Sequence, residues 1–259
     1  MLFRSTSSGE AVVKIIHDNF PATLELAIGS MLVAFIVGVS VGTISAARPG
    51  TFAEVGGRLF GIISYSLPIF WVGMLLQLVL AVQLHIFPLG GRFPANLTPP
   101  KPITGLYTID SLLHFNLPSF FVSLHHLALP CLTLGILLSG IFERIVRVNL
   151  KQSMKAEYIE AARARGIPEN TILISHALKN VMIPVVTVLG LTTASLLGGA
   201  VLTEVTFSWP GLASKLYEAI SNRDYPTVQG IMIFFAAIVV IASIFIDLIN
   251  AWIDPRIKY

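Results

Sequence analysis

An all-α fold, a polytopic bundle of membrane-spanning helices, is what three features of this sequence predict. Apolar residues make up 54% of the 259, and charged residues only 12%; soluble domains usually hold about 25% charged residues. The mean hydropathy is +0.79. The apolar residues also gather into five long runs, each near the ~20 residues a helix needs to cross a hydrocarbon core. So few charges cannot cover the surface of a soluble chain this long. An ordinary soluble enzyme, a disordered chain and a small disulfide scaffold are therefore excluded. The lone cysteine, Cys131, has no second thiol to pair with and reads as packing.

The first span is expected at about 22–47, and the residues before it, 1–21, as an external segment. Its stretch around 11–20 reads as at most an amphipathic surface helix. Ala34, Gly38, Gly42 and Ala46 stand at four-residue spacing and make a groove on one face, where another helix packs closely. The second span is expected at about 59–84. The third, at about 127–142, is the shortest, with Pro130 near its start, and a re-entrant segment is the alternative there. The fourth, about 181–205, repeats the small-residue stripe through Gly190, Ala194 and Gly198. The fifth runs from about 230 to 253, and 254–259 form a tail.

Lysine and arginine concentrate in the loop after the first span, in the loop after the third (151–180) and in the tail. Basic loops stay in the cytoplasm, so these belong inside and the C-terminus is cytoplasmic. Five spans then put the N-terminus outside, although 1–21 holds no apolar signal. Either the first span inserts as a reverse anchor or an upstream span is missing, and the second account is favoured. The net charge of +3 reflects this topology and calls for no nucleic-acid partner.

Chemistry-bearing motifs are few. No phosphate-binding loop GxxxxGK[ST] occurs, nor GxGxxG, HExxH or GxSxG. His125 and His126 are adjacent, a poor spacing for two metal ligands on one helix face. The ionisable residues within spans are Glu25, Glu204 and Asp247, none central. Glu204, with Gly198 and Gly199, is the candidate for a substrate pathway.

The basic loop 151–180 is the distinctive segment. Met154, Tyr158 and Ala161/Ala162 recur at helical spacing as one apolar face. Glu160 and Arg163 are spaced to pair at i, i+3. Gly166 ends this helix, and Pro168 with Glu169 starts a second. Two short helices joined at a glycine would form a cytoplasmic knob, a docking element for a soluble partner.

The run Glu157-Tyr-Ile-Glu-Ala-Ala-Arg-Ala-Arg-Gly166 resembles the EAA loop of binding-protein-dependent ABC transporter permeases. His176-Ala-Leu-Lys-Asn-Val-Met-Ile-Pro184, Gly198-Gly-Ala, Phe207-Ser-Trp-Pro-Gly211, Arg223-Asp-Tyr-Pro226 and Asp254-Pro-Arg256 are similar to the dipeptide/oligopeptide/nickel branch. So are Pro21-Ala-Thr-Leu-Glu-Leu26 and Ser66-Leu-Pro-Ile-Phe-Trp71. The resemblance implies a type I ABC importer transmembrane domain over 22–253. Members of this family usually carry a further N-terminal span, and this sequence starts after it: a fragment, a misassigned start and a shortened family member are the three readings. Tyr158, Glu160, Ala161, Ala162, Arg163, Arg165 and Gly166 would then couple the spans to ATP hydrolysis. ATP and Mg would sit on two partner ATPase subunits and none on this chain, which is not itself an enzyme. A second permease subunit and an extracytoplasmic solute-binding protein would complete the assembly in the plasma membrane. Di- or oligopeptides are the expected cargo; nickel, glutathione or a purely structural role are the alternatives.

Overall fold

The computed structural model describes residues 4–197 and 200–253, with side chains for all of these but 247 and 249–253. The helices are α1 (Val12–Ala47), α2 (Phe52–Ser66), α3 (Ile69–Leu76, continued as a π-helix over Gln77–Gln83), α4 (Tyr107–Leu113), α5 (Leu117–Ser153) and α6 (Glu157–Ala164). Next comes α7 (Glu169–Thr171), which runs through a π-helical stretch, Ile172–Leu178, into α8 (Lys179–Leu197). The chain closes with α9 (Val201–Thr206), α10 (Leu212–Ser221) and α11 (Tyr225–Ile253). Among the described residues four helices are long and apolar enough to cross a membrane, and five if the bent pair α2 and α3 counts as one span.

The spans differ from the sequence reading in their edges, each time for a local reason. The segment around 11–20 is amphipathic, with Val13, Lys14, His17 and Asp18 exposed, but it is not a helix of its own. It is the start of α1, with Val12 and Ile15 buried, and the helix continues past Pro21. The ring costs one backbone hydrogen bond and crowds the preceding turn, and the buried side chains of Val12, Ile15, Ala22 and Leu26 offset that cost. The second span is broken instead of continuous. The helix breaks where Leu67 and Pro68 both take extended backbone. The residue before a proline is pushed out of the helical region, and that ends α2. The third span, expected to be the shortest, is the longest helix, with 37 residues. Its polar ends hid it: histidines precede the apolar run and arginines follow it. The fourth stops at Leu197, and α9 is a separate short helix. Gly198, Gly199 and the tail 254–259 lie outside the described residues, as does the side chain of Asp247.

The chain forms two compact units. The first comprises Met1–Ser30, Pro68–Leu134 and Thr193–Ile241; the second comprises Met31–Leu67, Gly135–Thr192 and Ala242–Tyr259.

Within the first unit, Ala22, Leu26, Leu127, Cys131 and Trp209 make one apolar cluster, and Leu212, Ala213, Leu216, Ile231 and Phe235 another. Cys131 sits where Gly29 leaves room; a methyl group there would be 2.5 Å from its sulfur. That supports the packing role. Polar anchors fix the long connections. Buried Glu25 accepts from Arg92 Nε at 2.9 Å and Nη2 at 2.6 Å, and from the amide and hydroxyl of Thr108. Arg92 also lies over the Tyr107 ring, 3.8 Å from its centroid. Asp110 accepts from Thr104 and from the amide of Gly105. Burial pushes its carboxyl up, and these bonds more than offset that, holding it below the usual carboxylate range. His125 and His126 donate to the carbonyls of Ile86 (2.7 Å) and Gly91 (3.1 Å). Since a carbonyl only accepts, each of those ring nitrogens carries the hydrogen.

Asp224 is a further anchor of this unit. It accepts from Ser5 Oγ at 2.5 Å, from the Thr6 amide at 3.0 Å, from Ser7 Oγ at 3.0 Å and from Thr227 Oγ1 at 2.8 Å. Burial works to raise its pKa, but the donors win and hold it well below the usual range.

Within the second unit the small-residue stripes become contacts. A methyl group on Gly38 would stand 2.5 Å from Phe142 Cβ, and one on Gly42 2.8 Å from the Glu143 carbonyl oxygen. α1 and α5 therefore touch backbone to backbone here, as glycine permits in membrane helices. Gly190 meets Ile246 of α11 in the same way.

Candidate functional site

The polar knob lies wholly in the second unit. Its first helix, α6, begins at Glu157 and carries Glu157 and Glu160 in its first turn and Arg163 in its last. Acids at the start and a base at the end both suit the helix dipole. Ile159 is fully buried and Ala162 nearly so, and these two seat the helix. The apolar face is thus rotated from the sequence reading. Tyr158 and Ala161 are exposed, together with Glu160, Arg163 and Arg165.

Two hydrogen bonds close the end of α6. The Gly166 amide donates to the Arg163 carbonyl at 2.9 Å, and the Ile167 amide to the Ala162 carbonyl at 3.3 Å. This is the Schellman arrangement, which needs a residue in the left-handed region at the turn. Gly166 supplies it with φ of +74°. A methyl group there would meet nothing within 4 Å, so the demand is on backbone conformation alone.

Side chains then brace the turn. Arg163 does not pair with Glu160. It reaches across to Glu169, with Nε 2.6 Å from Oε1 and Nη2 3.3 Å from Oε2. The two-pronged geometry favours the partner that the turn brings alongside over the one a turn back on the helix. Tyr158 exchanges a hydrogen bond with Ser153 at the end of α5, and its hydroxyl accepts from Asn180 Nδ2 at 3.1 Å. One phenol therefore ties α6 to both long helices. Lys151 of α5 is paired with Glu54 of α2, which also accepts from the Gly50 amide at 2.7 Å. The expected second knob helix is not free-standing. Ile172 and Ala177 are fully buried, and the helix runs on without a break into α8.

Glu204, the expected pathway residue, lies in the first unit. It is fully buried. Its oxygens accept from Thr23 Oγ1 at 2.6 Å and from the Ser214 amide at 2.7 Å. The second bond closes the start of α10, so the geometry gives Glu204 a capping role. The sequence signal for this was Gly211, whose missing side chain makes room for the carboxylate. Arg92 and Glu25 were not recognised as a pair, because 67 residues separate them.

Long apolar helices joined to a braced, solvent-facing helix–turn–helix define a class: a membrane-embedded subunit that carries a docking knob. Comparison with known proteins supplies the rest. Residues 38–259 match the family model for the binding-protein-dependent transport system inner membrane component. The chain is 37% identical to the dipeptide transport system permease protein of Alkalihalophilus pseudofirmus, over 98% of this chain and 76% of that one. It is 39% identical to the probable D,D-dipeptide transport system permease protein of Escherichia coli K12, over 98% and 74%. It is 33% identical to the oligopeptide transport system permease protein of Bacillus subtilis, over 97% and 73%. In fold it resembles a chain of the MetNI methionine ABC transporter in an inward-facing conformation, with a TM-score of 0.69 at 16% identity, covering 93% of this chain and 97% of that one. The chain belongs to the binding-protein-dependent transport inner-membrane component family and is a permease subunit of an ABC importer.

Proposed function

We propose that short peptides cross the membrane through the assembly this chain helps to build, and that α6 with the Gly166 turn receives the stroke of separate ATP-hydrolysing subunits. The observation that carries the coupling role is the bracing of α6. A docking element must be open to its partner and rigidly joined to the spans it moves. Glu160, Ala161 and Arg165 are exposed, while Tyr158, Ala162, Arg163 and Gly166 hold the helix to α5, α7 and α8. Peptides as the cargo rest on the relatives, each named for dipeptide or oligopeptide transport.

In this reading the basic loops put the knob and the C-terminus in the cytoplasm. A second permease subunit, two ATPases carrying ATP and Mg, and an outer solute-binding protein complete the machine. The test is affinity purification of the tagged chain from native membranes, with peptide uptake measured in the same cells. Recovery of two P-loop ATPases and a second permease, with dipeptide uptake that depends on this chain, supports the reading. Recovery with respiratory subunits, or uptake indifferent to its deletion, refutes it.

A further inference from the structure

A cavity of about 700 Å³ opens between α2 and α5 inside the second unit. Small-ligand clefts usually hold about 300–1,000 Å³. Arg58 and Tyr65 line it from α2, and Glu143, Arg144 and Arg147 from α5. The helices touch beside it through glycines: a methyl group on Gly140 would stand 2.9 Å from the Gly61 carbonyl oxygen.

Glu143 is fully buried. Arg147 Nε donates to its Oε1 at 2.7 Å, and its Oε2 has no hydrogen-bond partner. That oxygen is packed against Gly61, where any side chain would collide with it. A buried carboxylate oxygen without a donor destabilises the state that holds it, so this state is biased toward one in which a donor arrives. Arg58 and Arg144 are exposed, and neither is in an ion pair among the described residues. Ionisable groups in spanning helices concentrate along solute routes. An anionic phospholipid would satisfy the arginines but be repelled by Glu143. A zwitterion uses both signs.

We propose that this cleft is a stopping place on the transport route that grips a short peptide by its charged ends. Arg58 and Arg144 take the terminal carboxylate, and Glu143 takes the terminal ammonium when α2 moves off it at Gly61. This rests on the peptide reading above.

The test uses the complete transporter in cells, with uptake of radiolabelled dialanine at matched membrane abundance and matched recovery of partner subunits. Arg58→Gln, Arg144→Gln and Glu143→Gln each lower maximal uptake by about tenfold, the loss of one charge-assisted contact. A photoreactive dipeptide, benzoylphenylalanyl-alanine, labels α2 and α5 in the wild type and fails to do so in Arg144→Gln. If Glu143→Gln does not reach the membrane, the two exposed arginines carry the test. Wild-type uptake by both arginine variants, or labelling elsewhere in the transporter, overturns the site and leaves the peptide reading standing. Release of phosphatidylglycerol from the variants with unchanged uptake assigns the cleft to lipid and likewise overturns it. A wild-type transporter that takes up neither dialanine nor longer peptides overturns the peptide reading itself.

Discussion

At the scale of single residues, Gly166 and Arg92 make opposite demands. Gly166 needs a conformation, not space, because its surroundings are open and its φ is +74°. An L-residue in that region costs about 1–2 kcal/mol, with asparagine among the most tolerant and β-branched residues among the least. Gly166→Val is therefore expected to cut peptide uptake severely while membrane abundance stays normal, and Gly166→Asn to retain most of it. Equal uptake by the valine and asparagine variants would show that the turn is not what matters. Arg92 needs its partner. Both Arg92 and Glu25 are at least 90% buried, so Arg92→Met leaves a buried carboxylate without its cation. Breaking such a pair typically costs about 3–5 kcal/mol. The expected result is a marked fall in the unfolding temperature of the detergent-solubilised protein, partly restored by the double variant Glu25→Gln/Arg92→Met.

At the scale of elements, glycines separate into those that hold helices together and those that do not. Gly38 lies so close to α5 that a side chain would push into Phe142 and the Ser139 carbonyl. Gly38→Val must part the two helices, and loss of the folded protein from membranes is expected. Gly56 sits inside α2 with nothing within 4 Å of its absent side chain. Gly56→Ala should raise helix stability by up to about 1 kcal/mol, since alanine has the higher helix propensity. Membrane abundance checks the first variant and thermal unfolding the second; a destabilised Gly56→Ala would point to a covered face there. The stripe of Ala34, Gly38, Gly42 and Ala46 was readable in the sequence because period and residue size are local properties. Its partner was not, since nothing in the stripe names α5 as the helix it faces.

At the scale of the whole molecule, stability depends on anchors that join distant parts of the chain. Asp224 bonds Ser5, Thr6 and Ser7, more than 200 residues away in sequence. Its folded pKa lies below the unfolded value of about 3.9. A group of this kind contributes stability that is fully present above the unfolded pKa and is lost as pH falls through the folded one. Asp224→Asn should therefore lower stability at neutral pH, and its deficit against wild type should shrink as pH drops below about 4. Detergent-phase unfolding followed by circular dichroism across that window measures it. A deficit constant with pH would mean that packing, not charge, accounts for the anchor.

Composition, hydropathy and the 157–166 run determined the class of this protein from sequence alone. Each rests on a sum or a short-range pattern, and membrane insertion responds to just such sums. Gly166 was legible for the same reason: a helix end is decided within a few residues. The tertiary structure decided the break between α2 and α3, the exchange of Glu160 for Glu169 as the partner of Arg163, the capping duty of Glu204 and the unpartnered oxygen of Glu143. Each of these depends on which groups meet after the chain has folded back on itself. A carboxylate's sequence neighbours do not reveal whether a donor will arrive from 6, 10 or 181 residues away, and that arrival separates a cap, a brace and a binding group.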